Sequence, residues 1–253
     1  MNIDQYAYRS KLKNINTLLK IYFSFASIFV CLWSKSFVTS IFLLLLMGTL
    51  TVFKGQIPSK VFIRLLTLPM VFLVVGILGI AISYSPKQVG FYQAYPIFNG
   101  YFGFTIVGVE RAIVLFFKAL GATSCMYFLI LNTPMVALLS AFKKLKVPKL
   151  LVELMELMYR FILIFMDTAD NIYTAQKSRC GYTNIPSSYR SLGGLASVLF
   201  IRSYKRSEEM FRALEARGYN GELNVLEEST ERNVYLFVVV TVFLVVLIGI
   251  NFI

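Results

Sequence analysis

Two arginines in this chain stand out by what surrounds them. In AQKSRCGY (Ala175–Tyr182), Arg179 sits between Ser178 and Cys180; in LEARGYNG (Leu214–Gly221), Arg217 sits between Ala216 and Gly218. A guanidinium is a rigid, permanently charged donor fork, suited to a carboxylate or to a helix terminus on another protein. Small neighbours strip the backbone around it and let a partner approach. For either arginine alone a simpler account exists. A cation in the last helical turn neutralises the carbonyl end of the dipole, for about 0.3–1 kcal/mol. The repetition argues for more, because two like tips suggest two equivalent docking points on a two-fold or pseudo-two-fold partner.

Other chemistry is scarce. Histidine is absent, which excludes His-ligated metal sites, a histidine base and a histidine triad. Cys31 and Cys125 lie in apolar segments and Cys180 in a polar one, so the three cysteines form neither a disulfide framework nor a metal pattern. No G-x-x-x-x-G-K-S/T phosphate loop occurs. Asp167 and Asp170, three apart, have no base or ligand nearby in sequence and read as a solvated helix face. Glu110, Arg111 and Lys118 fall within an apolar segment, where charges are functional candidates by default. Glu110 and Arg111 are close enough to its end to snorkel, whereas Lys118 is deeper.

The elements that must carry these residues are mostly membrane helices. Of 253 residues 57% are hydrophobic and only 15% charged, and the mean hydropathy is +0.69. That composition predicts an all-α polytopic membrane protein. Apolar runs approaching or exceeding the roughly 20 residues a bilayer needs occur at 18–34, 37–53, 60–83, 104–131 and 233–252. Only Ser34–Ser36 joins the first two, so they form a tight hairpin. The formal charge of +12 reflects the positive-inside bias and not nucleic-acid binding. Arg9, Lys11, Lys13 and Lys20 precede the first span, and Lys54, Lys60 and Arg64 flank the next turn on that side. This places the N-terminus in the cytoplasm. The aromatic stretch 84–104 reads as an interfacial belt.

Three regions follow: residues 1–131 with four spans, a cytoplasmic region at 132–232, and a last span at 233–253. The middle region holds 14 Lys/Arg and 11 Asp/Glu. Thr133 and Pro134 are placed to cap and open a short helix. Pro148 opens a helix of about 30 residues, roughly 45 Å long, with Glu156–Arg160 as an i,i+4 pair and Gly181 as its left-handed cap. A second amphipathic helix, about Tyr189 to Arg217, pairs Lys205 with Glu209 and Glu208 with Arg212, and Gly218 closes it. Ser203 and Ser207 narrow one of its lines, which lets another helix cross closely. Apolar faces on two such helices must be covered by each other, the membrane surface or a partner.

These features resemble the transmembrane T component of energy-coupling-factor transporters. Its signature is a pair of motifs, typically Ala-Arg-Gly, at the ends of two cytoplasmic coupling helices. Ala216-Arg217-Gly218 matches outright; Ser178-Arg179-Cys180 keeps the arginine and small neighbours but lacks the alanine and glycine. The opening IDQYAYRSKLKNIN (Ile3–Asn16) and the stretch Leu131–Ile162 are similar to the cobalt-type subgroup, CbiQ. The resemblance implies a prokaryotic inner-membrane subunit that is not an enzyme and binds no cofactor itself. ATP and magnesium would belong to a CbiO-like pair of ABC ATPases, which Arg179 and Arg217, flanked by Ser178, Cys180, Ala216 and Gly218, would engage. Capture of cobalt or nickel would belong to a CbiM-like membrane subunit, with or without a small accessory chain. Lys118, Ser203 and Ser207 become candidate subunit or coupling contacts. A vitamin-type cargo, an intramembrane enzyme and a membrane scaffold are the alternatives; the enzyme would need paired carboxylates, a Ser/His set or a zinc motif in the spans, and none is visible.

Overall fold

The first two apolar helices each begin at a polar residue whose side chain closes an orphan amide. Asn16 accepts from the Leu18 amide (3.0 Å) at the start of α2, Thr17–Trp33. Ser36 accepts from the Val38 amide (3.3 Å) at the start of α3, Phe37–Thr49. The computed structural model describes residues 3–34, 36–85, 91–97, 100–219 and 237–242. Before α2 come a short helix α1, Ile3–Arg9, and a 3-10 turn, Lys11–Asn14. A five-residue π-helical turn, Leu50–Lys54, continues α3. Then follow α4, Ser59–Ala81, and α5, Ile106–Asn132. Among the described residues three stretches, Phe37–Lys54, Ser59–Ile80 and Ile106–Asn132, are long and apolar enough to cross a bilayer; α2 is a shorter apolar helix of 17 residues. The expected spans are therefore present to within a few residues, except the last. Of 233–252 only residues 237–242 are described, and they are helical.

The aromatic connection from α4 to α5 takes on regular secondary structure. It forms an antiparallel sheet in the order β1-β3-β2, from β1 (Ile82–Ser85), β2 (Phe91–Ile97) and β3 (Gly100–Thr105). Ile82 pairs with Phe104, and Ile97 with Gly100. A run this rich in Tyr and Phe favours strands, and Pro96 is tolerated because β2 is an edge. Helices still make the architecture.

Helix α5 is the axis of the membrane unit, packing against α1, α2, α3 and α4. Small residues set its close approaches, as expected where lipid removes the hydrophobic drive between helices. A Cβ on Gly121 would stand 2.9 Å from the Ser40 carbonyl oxygen and 3.0 Å from Cys31 Sγ. Ser24 donates to the Cys125 carbonyl (2.7 Å), Ser124 to that of Leu44 (3.3 Å), and Tyr127 to that of Leu65 (3.1 Å). Phe23, Met47, Cys125 and Phe128 form one buried cluster, and Ile57, Phe62 and Leu131 another. Phe237 stacks on Tyr22, with ring centroids 5.1 Å apart.

The chain divides into two units, Met1–Leu138 with Glu228–Ile253, and Leu139–Glu227. The second holds most of α6 (Met135–Lys144), then α7 (Lys149–Ser178) and α8 (Ile185–Ala216).

Candidate docking site at two helix ends

Helix α7 follows Pro148, its N-cap residue, and runs 30 residues. Its ion pairing differs from expectation. Glu156 reaches back to Lys143 on α6 (3.0 Å), a largely buried pair, and not along the helix to Arg160. Helix α8 begins four residues earlier than expected, because Asn184 occupies the N-cap position and Pro186 fits the first turn, where no amide donor is needed. Glu208–Arg212 forms as expected (2.6 Å), but Glu209 pairs with Arg206 (3.3 Å) in place of Lys205.

Both helices end on the arginines. Arg179 is the C-cap of α7 and Arg217 that of α8. At the first, the Cys180 amide donates to the Lys177 carbonyl (3.0 Å) and the Gly181 amide to that of Gln176 (2.9 Å). At the second, the Gly218 amide donates to the Glu215 carbonyl (3.0 Å) and the Tyr219 amide to that of Leu214 (3.0 Å). This is the Schellman pattern, which needs a left-handed residue directly after the cap. Gly218 supplies it at φ 72°, and Cys180 supplies it at φ 58°. The left-handed cap of α7 is thus Cys180, not the expected Gly181. Glycine at 181 serves close packing instead: a Cβ there would stand 2.6 Å from Ser191 Oγ and 2.9 Å from the Gln176 carbonyl oxygen.

The α7 end is braced by residues that the sequence reading did not single out. Ser187 and Ser191 both donate to the Gly181 carbonyl (2.9 and 2.8 Å). Gln176 donates to the Ser191 carbonyl (3.0 Å) and accepts from the Tyr182 hydroxyl (2.7 Å). The run of serines after a tight glycine was the available signal. Arg179, Arg217, Ser178, Cys180, Ala216 and Gly218 are all exposed, and neither guanidinium is ion-paired among the described residues. The fold does not bring the arginines together. They flank α8, whose 32 residues span about 48 Å at 1.5 Å each.

Ser203 donates to the Phe200 carbonyl (2.8 Å) and is half-buried, while Ser207 is exposed. Beside that line runs an uncovered apolar stripe at helical spacing, Ile185, Tyr189, Phe200, Tyr204 and Phe211. In the other unit Lys118 donates to the carbonyl of Leu32 (3.2 Å) in the last turn of α2, where a cation complements the dipole. Glu110 and Arg111 are exposed near the start of α5. Thr133, expected to cap α6, does not: its buried hydroxyl has no partner, and Asp4 accepts from the Met135 amide instead (3.4 Å). Lys20, grouped in the sequence with the basic residues before the first span, is buried inside α2. A cation within an apolar helix was the signal for it.

Comparison with known proteins gives the family. Residues 8–228 match the model of a family described as CbiQ, cobalt transport protein. A cobalt transport protein CbiQ of Salmonella typhimurium is 34% identical, covering 64% of this chain and 72% of its own. A putative fused cobalt transport protein CbiMQ of Methanocorpusculum labreanum is 28% identical over 89% of this chain and 38% of its own length. An energy-coupling factor transporter transmembrane protein, EcfT, of Streptococcus equi is 30% identical, with coverages of 77% and 74%.

Proposed function

The chain belongs to the CbiQ family of cobalt transport proteins, a transporter membrane component and not an enzyme, and from that premise we propose that it couples separate ATPases to a separate metal-capture subunit. The observation that carries this reading is the pair of matched, exposed arginine C-caps flanking α8. Arg179 and Arg217 enter acidic grooves on the two halves of an ABC ATPase dimer, and the small residues beside them admit the groove walls. ATP and magnesium reside on those ATPases. When the dimer closes, its halves shift the two tips, and α7 and α8 carry that displacement.

The receiving partner is a capture subunit for cobalt or nickel. Fusion of CbiM and CbiQ in the name of the Methanocorpusculum relative supports a membrane neighbour of that kind. The apolar stripe of α8 offers it a surface, with Ser203 and Ser207 allowing a helix to cross closely. Lys118 is a further candidate contact. A cytoplasmic N-terminus is part of this reading, and the basic residues Arg9, Lys11 and Lys13 before the first apolar helix support it.

The test is reconstitution. Cells expressing a CbiM-like capture subunit and CbiO-like ATPases should accumulate radioactive cobalt only when this chain is present. Equal accumulation without it would overturn the reading, and uptake of a vitamin in place of metal would correct the cargo.

A further inference from the structure

We propose that Lys20 and Asp4 are positioning residues that pin the elbow between α5 and α6, and that the pin is needed to convert ATP hydrolysis into transport. The proposal rests on the coupling role above. Lys20 is 2% exposed, yet no carboxylate receives its ammonium among the described residues. Its Nζ donates to three backbone carbonyls, those of Asn132 (2.9 Å), Leu12 (3.0 Å) and Lys13 (3.4 Å). A buried ammonium is costly and persists only where its donors are satisfied. Asn132 is the last residue of α5, so the cation sits where the helix dipole favours it. The Leu12 and Lys13 carbonyls come from the N-terminal 3-10 turn, which Lys20 thereby straps to the end of α5.

Asp4 completes the other side. Its carboxylate accepts from the Met135 amide, the first of α6, where the dipole favours an anion. The elbow Asn132–Thr133–Pro134 cannot hold itself. Pro134 has no amide to donate, and the Thr133 hydroxyl is buried without a partner. Asn132 is wholly buried, its Nδ2 donating to the Phe128 carbonyl (2.9 Å) and its Oδ1 accepting from Ser10 (2.8 Å). Both helix ends at the turn are therefore clamped by residues from the first 20 positions. A loose turn would absorb displacement arriving along α6, whereas a clamped one passes it to α5, the axis of the membrane unit.

The experiment uses the assembled complex in membranes and compares Lys20→Met, Asp4→Ala and Arg217→Glu. For Lys20→Met and Asp4→Ala, ATPase co-purification and ATP hydrolysis should stay within about twofold of the parent, while cobalt transported per ATP falls about tenfold, the scale of a coupling free energy. A merely structural lesion would lower both quantities together. An unchanged cobalt-per-ATP ratio, or loss of ATPase recovery in step with uptake, overturns the proposal. If instead Arg217→Glu keeps full docking and uptake, the coupling reading itself fails, whatever the elbow variants do. Should Lys20→Met not accumulate, Asp4→Ala, at a half-buried position, carries the test.

Discussion

Arg179 and Arg217 occupy the same backbone position in the same helix ending. Their dihedral angles are φ −96°, ψ 20° and φ −95°, ψ 10°, and each is followed by a left-handed residue. The ending by itself is not distinctive. Helix α6 closes the same way, with Lys146 left-handed at φ 60° and the Val147 amide donating to the Phe142 carbonyl (3.3 Å). There Leu145 holds the cap position, between lysines and not small residues. What sets α7 and α8 apart is the guanidinium on an open, small-residue shoulder.

The left-handed residue differs between the two tips, and this predicts opposite responses to substitution. A non-glycine residue at φ near 60° carries a cost of about 1 kcal/mol that glycine avoids. Cys180→Gly should therefore stabilise the purified chain by about that amount and raise its melting temperature in detergent. Gly218→Ala should lower it comparably. Equal and same-signed shifts would show that the backbone at 180 is not held left-handed.

Gly181 should tolerate no side chain, although its φ is unremarkable. Gly181→Ala drives a methyl into Ser191 Oγ and the Gln176 carbonyl, so it should destabilise by about 1–3 kcal/mol. Proteolysis at the α7–α8 turn is a direct measure, since the turn must open to relieve the clash. Pairing it with Ser191→Ala removes one of the two obstacles and should recover part of the loss.

Gly121 makes the equivalent demand within the membrane unit. Gly121→Leu pushes α5 off the Ser40 carbonyl and Cys31, and the chain should accumulate poorly in membranes. Gly76→Leu on α4, where a Cβ meets nothing within 4 Å, should accumulate normally. Equal levels of both variants would contradict the packing described for α5.

Much of this molecule is legible from one-dimensional signals. Helix spans follow from runs of apolar residues, and Pro148 and Gly218 mark element ends because proline lacks a donor and glycine permits positive φ. The exceptions have a common cause. Asp4 caps α6 from 131 positions away, and Lys20 finds its acceptor on Asn132; no local pattern encodes such partners. Glu156 chose Lys143 over Arg160 because i,i+4 pairs contribute only a few tenths of a kcal/mol. Cys180 takes the left-handed place because the helix caps on Arg179, one residue earlier than a glycine cap at 181 requires.

The central claim is that the two arginine tips dock the ATPases, and charge reversal tests it most directly. Arg179→Glu, Arg217→Glu, the double variant and Leu145→Glu would each be co-expressed with the ATPases and capture subunit. ATPase recovered per mole of purified chain is the readout. Each single arginine variant should lose about tenfold or more, as hot-spot residues do, and the double variant should recover none. Leu145→Glu, an equivalent acid at the matched cap of α6, should recover the parental amount. Full ATPase recovery by the double variant would contradict the account.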